Sequence, residues 1–180
     1  MAETQFQIPA EMERTKCACS GCTAGCRAMP GCLIPGDLER IQTHVGDDSG
    51  EFVLEHFRAS DGAQVMKQVG DTLYQISVPT IVPAQKEDGS CIFLTDDDMC
   101  SIHEVSPFGC AYLDIHMSAE EVDPRSQFGV NTQIQSHQNG TPYSQWVALL
   151  SGLNLNAPPA AERRAAMEKL INDRPKSSQD

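Results

Sequence analysis

Cysteine is the residue type that carries chemistry in this chain, and its spacing is dense near the start. Cys17-x-Cys19-x2-Cys22-x3-Cys26 falls within ten residues and Cys32 follows closely. Cys91, Cys100 and Cys110 come later, with eight and nine residues between neighbours. Thiolates donate strongly to soft metals and to the iron of iron–sulfur clusters, and coordination lowers the thiol pKa enough to ionise it. The Cys19-x2-Cys22 pair is a two-ligand grip on one metal or one cluster edge. Cys17 and Cys26 bring this first loop to four ligands, enough for one four-iron cluster. The Cys17-x-Cys19 spacing is shorter than the roughly two to four residues that separate paired zinc ligands. Local spacing therefore tilts toward iron–sulfur, a 4Fe-4S centre, over zinc. The downstream trio needs a fold to converge, and Cys32 can complete a second set of four. His103 and His116 are candidate nitrogen ligands, and Asp114-x-His116 makes a mixed sulfur–nitrogen site geometrically reasonable.

Composition bounds the partners. Thirteen basic residues against 25 acidic ones give a net charge of −12, which disfavours nucleic acid or an anionic membrane surface. It suits a cytoplasmic protein with a protein partner, for redox or for interaction. The first residues lack the basic and apolar regions of a secretory signal, and no run approaches the ~18 apolar residues of a membrane span. In a reducing compartment eight cysteines are better explained by metal than by disulfides. Apolar residues are 40% of the chain and aromatics 6%, so the core is expected to be modest and a metal would help to tie it together.

The elements that must position these ligands read as short. Residues 1–16 are expected as a flexible lead-in, 17–171 as a single cysteine-cluster domain, and 172–180 as a disordered tail. Residues 17–36, rich in Gly and Pro, read as a ligand loop. Leu38, Ile41 and Val45 predict a helix over 37–45 with Gly46 as its cap. Phe52, Val53 and Phe57 suggest another short helix. Leu73 to Val82 alternates as an edge strand or extended arm, and Cys91–Leu94 turning back through Asp96-Asp97-Asp98 to Cys100–Ile102 suggests a hairpin-like unit. Ser118-x-x-Glu121 resembles a capping box whose helix Pro124 cuts short, and 131–140 reads as a polar loop. Thr141-Pro142 starts a helix through Tyr143, Trp146, Val147 and Leu150 that ends near Gly152, and a last helix follows to about Ile171. The expected architecture is a small, mostly α, irregular metal-stabilised domain with cysteine-bearing loops and one short hairpin.

The stretches CACSGCTAGC at 17 to 26, PGDLERI at 35 to 41 and CIFLTDDDMCSIHEVSPFGC at 91 to 110 resemble the YkgJ-like cysteine-cluster family of zinc- or iron-chelating proteins. The downstream match is carried by Cys91, Cys100, Ile102, His103, Glu104, Pro107 and Cys110. The first motif lacks that family's adjacent Cys-Cys pair, and Ser106 stands where arginine is common. The resemblance covers about residues 17 to 117, and it implies metal binding without implying a substrate.

Three functions compete at this stage. The leading one is an iron–sulfur protein in electron transfer or redox support, its cluster held by Cys17, Cys19, Cys22 and Cys26 or by a mixture of these with Cys91, Cys100 and Cys110. A zinc-stabilised protein-interaction module is the second. The third is a metal-dependent enzyme with an open coordination position, using His103, Glu104, Asp114 and His116 as ligand or proton-transfer groups. No nucleotide-binding glycine loop and no H-E-x-x-H motif supports the enzymatic reading, and no catalytic residue is assigned.

Overall fold

A computed structural model describes residues 6–16 and 19–153. Among the described residues, six helices and one antiparallel ribbon are arranged in the order α1 (Ser20–Ala28), α2 (Asp37–Val45), α3 (Gly50–His56), β1 (Phe57–Val69), β2 (Thr72–Pro83), α4 (Phe108–Ala111), α5 (Ala119–Asn139) and α6 (Pro142–Leu153), with a 3-10 turn at His103–Val105 before α4. The protein is a small, mostly helical, irregular domain carrying one hairpin. The last expected helix, the tail and Cys17 lie outside the described residues.

Residues 20–28 are a helix and not the glycine loop expected. Cys19, Cys22 and Cys26 stand at i, i+3 and i+7, the spacing of one helical face, so the cysteines themselves supply the stripe that leucines would give elsewhere. The α2 expectation holds over the same residues: Leu38 and Ile41 are buried, Asp37 and Glu39 lie in the first turn, and Gly46 closes the helix at φ +77°. In α3 the Ser49 hydroxyl caps the Phe52 amide at 3.1 Å, and Phe52 and Val53 turn inward.

The ribbon is longer than the expected arm. Phe57 pairs with Pro83 and Val69 with Thr72, so β1 answers β2 along its whole length. A bulge between Ser60 and Ala63 interrupts the register, with Gly62 at φ +65° where a side chain would overlap the Val78 carbonyl. The base of the ribbon enters the core through Phe57, Val78 and Ile81, whereas Met66, Val69, Leu73, Tyr74 and Ile76 toward the tip are exposed. The smaller hairpin-like unit is present as an antiparallel bridge between Leu94 and Cys100.

α5 runs for 21 residues, correcting both the short helix and the polar loop expected there. Ser118 and Glu121 form the expected capping box, but Pro124 does not end the helix. Its missing N–H would have met the carbonyl of Glu120, and both residues are exposed, so water replaces that one bond. The buried face farther along is Gly129, Thr132, Gln133 and Ser136, small or polar residues whose period an apolar scan does not register. Gln133 donates to the Leu33 carbonyl and to Thr80 Oγ1, both at 2.8 Å. Tyr143, on α6, donates to the same carbonyl at 2.8 Å. This knot fastens α5, α6 and β2 to the segment that follows Cys32.

Two apolar clusters result. The larger gathers Leu33, Leu38, Ile41, Phe52, Val53, Phe57, Ile81, Phe93, Ile102, Tyr143, Val147 and Leu150 with buried Cys91, and Trp146 packs against it. The smaller joins Ile34, Phe108, Ala111 and Tyr112 with Ile8, Met12 and Phe128. Residues ahead of the first cysteine thus contribute to packing, and Arg14 also donates to the His103 carbonyl at 2.7 Å.

Candidate metal centre

Cys19 is the N-cap of α1 and Cys22 lies one turn on, so both sulfurs sit at the positive end of the helix, where thiolates are favoured. His116 comes from the loop between α4 and α5. Asp114 holds that loop: its Oδ1 accepts the His116 amide at 2.6 Å, and its Oδ2 accepts the Thr15 hydroxyl. The capping box at Ser118 fixes the other side, with the Ser118 amide 2.9 Å from Glu121 Oε2.

These constraints bring three donors together. Cys19 Sγ is 3.9 Å from Cys22 Sγ and 3.3 Å from His116 Nε2, and the three donor atoms all lie within 4.8 Å of one another. Bonds of about 2.3 Å to sulfur and about 2.0–2.1 Å to nitrogen around a tetrahedral zinc imply roughly 3.8 Å between sulfurs and roughly 3.6 Å from sulfur to nitrogen. A Cys/His cluster able to chelate a metal ion is therefore present. Hydrogen bonding and charge from Cys19 hold the His116 pKa above its ordinary value.

The other sequence candidates fall in a different place. Cys26, Cys32, Cys91, Cys100, Cys110 and His103 line a cavity of about 570 Å³, as does Cys22. Cys26 lines that cavity together with Cys22 and is not one of the three clustered donors, and Cys17 lies outside the described residues. Burial is the first cause raising the thiol pKa at Cys26, Cys32, Cys91, Cys100 and Cys110, and it takes Cys91 up to about 11. At Cys32 burial is followed by the nearby Gln133 amide, which lowers the thiol pKa, and by the charge of Asp37, which raises it. The part of His103 held in place is its carbonyl, which accepts from Arg14.

What sequence reasoning missed is the support for the ligands. Asp114 accepts the His116 amide from two residues away and is itself held by the Thr15 hydroxyl from a distant segment, and only the short Asp114-x-His116 spacing hinted at it. Among the described residues, no helix is long and apolar enough to cross a membrane. No family model, curated protein or solved structure matches the chain.

Proposed function

We propose that the protein is a zinc-stabilised interaction module whose ion is held by Cys19, Cys22 and His116. The observation that carries this is the donor geometry: two sulfurs and one imidazole nitrogen at separations of 3.9 and 3.3 Å, as one tetrahedral ion requires. Cys17, two residues upstream, is the natural fourth donor. An ion here would fasten α1 to the loop that leads into α5, linking segments 97 residues apart. Asp114 acts as the outer support, fixing the backbone that carries the imidazole. The interaction half of the reading is supported by the ribbon tip, where Met66 is 62% and Leu73 61% exposed. Large apolar side chains left in solvent near the end of a ribbon are what a docking element can present, and the acidic charge favours a cationic partner.

Elemental analysis of the protein purified without oxygen should return one zinc per chain. Cys22→Ser and His116→Ala should each lose it. With free zinc about 100-fold above Kd, linkage contributes about 2.7 kcal/mol, so chelation should lower the Tm by roughly 5–10 °C for a chain of this size. A protein that holds no zinc, or whose Tm ignores a chelator, would overturn the reading.

A further inference from the structure

We infer that Cys19 and Cys22 are a dithiol that hydroperoxide oxidises to a disulfide, and that this closure discharges the ion the pair holds. The first half stands on the geometry of the two thiols, and the second rests on the zinc reading above. Among the described cysteines Cys19 is the exposed one; Cys22 is half-buried, and Cys26, Cys32, Cys91, Cys100 and Cys110 are half-buried or buried. An oxidant arriving from solvent therefore meets the Cys19 sulfur first. Cys22 Sγ stands 3.9 Å away, one turn along the same helix. A disulfide needs about 2.05 Å between its sulfurs, so the gap must close by roughly 2 Å. Cys19 precedes the helix with an extended backbone, at φ −70° and ψ 167°, and its carbonyl accepts the Thr23 amide at 3.1 Å. The sulfurs can thus approach by side-chain rotation while that first helical bond is kept. Two cysteines separated by two residues at a helix start are the arrangement that disulfide oxidoreductases use.

The chemistry balances without another reactant. The Cys19 sulfur attacks one peroxide oxygen: an S–O bond forms, the O–O bond breaks, and the departing hydroxide takes a proton and leaves as water. The Cys22 sulfur then attacks the resulting sulfenic acid. An S–S bond forms, the S–O bond breaks, and a second water leaves. Two thiolates have given up two electrons, and the peroxide has taken them with two protons from solvent. Disulfide sulfurs no longer carry the charge that binds zinc, so of the three clustered donors only His116 remains to the ion. The far end of α1 stays fastened throughout. There the Cys91 amide donates to the Cys26 carbonyl at 2.6 Å, and Arg27 pairs with Asp98. Oxidation would thus release the first turn of α1 from the His116 loop and leave its last turn in place, which makes the fastening of the module responsive to peroxide.

The test uses the full chain, loaded with zinc in the absence of oxygen and then given about one equivalent of hydrogen peroxide. Two of the eight thiols should be lost, the mass should fall by two hydrogens, and zinc should pass to a chromogenic chelator. Dithiothreitol should restore both thiols. Fragmentation of peptide 17–27 should place the new bond between Cys19 and Cys22. In Cys22→Ser the reaction should stop at a sulfenic acid on Cys19, trapped by dimedone, and Cys19→Ser should give neither product. A bond to Cys17 or Cys26 in place of that pair, cavity thiols oxidised ahead of Cys19, or a disulfide that leaves zinc bound would overturn the inference. The two readings fail separately. Zinc bound at one per chain beside thiols that peroxide leaves untouched removes the dithiol alone. A chain that never took zinc yet closes Cys19 to Cys22 supports the dithiol and removes the zinc reading.

Discussion

Asp37→Ala should destabilise the protein by about 3–4 kcal/mol, read as a lower urea midpoint with an unchanged slope. The side chain is fully buried and does three jobs at once. Its Oδ2 accepts the Ile34 amide at 3.1 Å and the Phe108 amide at 2.8 Å, joining the start of α2 to α4 across 71 residues. Its Oδ1 lies 2.7 Å from Arg40 Nη2. That contact is an ion pair lacking a well-directed hydrogen bond, and Arg40 Nη2 donates to the Ser106 carbonyl at 3.1 Å. Alanine would leave two buried amides unsatisfied and one guanidinium without its counter-charge. Arg40 is a third exposed, so water offsets part of the loss and the figure stays below the upper limit for a buried pair. Asn, which keeps one acceptor oxygen, should cost less.

The pH dependence of Asp37 has a definite sign. Burial raises its pKa above the ordinary 3.8, and Arg40 and the two amides only partly pull it back. A group whose pKa is raised by folding contributes its full stabilisation below the unfolded value and loses it as pH rises through the folded value. The stability gap between the native protein and Asp37→Asn should therefore narrow from about pH 4 toward neutrality. Urea titrations of both proteins at several pH values check this, and a gap that widens with pH would refute it.

The sequence showed which atoms would do chemistry better than it showed how they would be grouped. α2 was legible because Leu38, Ile41 and Gly46 follow ordinary helical rules, and α6 because Thr141-Pro142 starts it. α1 was hidden because Gly21 and Gly25 look like loop residues, while its packing stripe is written in cysteine. α5 was hidden for a related reason. Its buried face is paid for in hydrogen bonds by Thr132, Gln133 and Ser136, so hydrophobic periodicity had nothing to detect. β1 was missed because most of it is exposed, leaving pairing with β2 as its main determinant. His116 was a candidate from its neighbour Asp114, but its pairing with Cys19 is a contact across the fold. Grouping of ligands is a tertiary property, which local spacing does not carry.

Gly109→Ala should be strongly damaging although the residue has no side chain to lose. The chain before Cys110 crosses the chain before Cys32 at this point, and the Gly109 amide donates to the Cys32 carbonyl at 2.8 Å. A Cβ on Gly109 would overlap the Cys32 amide nitrogen and come within 2.9 Å of Gly31 Cα and C. The mirror substitution, Gly31→Ala, would collide with the backbone of Gly109 and Cys110 and approach Cys110 Sγ to 2.8 Å. The obstructing atoms are main chain, so no rotamer change relieves the overlap and the two segments must separate. Overpacking of this kind costs about 3 kcal/mol at the upper end of its usual range, or roughly 6–12 °C in Tm. Gly25→Ala is the internal contrast: nothing lies within 4 Å of its Cβ, and alanine in a helix is favoured over glycine by about 1 kcal/mol. In the metal-free protein it should raise the Tm where Gly109→Ala lowers it. The crossing of two glycines is thus the structural condition for Cys110 to face the cavity, since any side chain at either position drives apart the walls that carry the thiols.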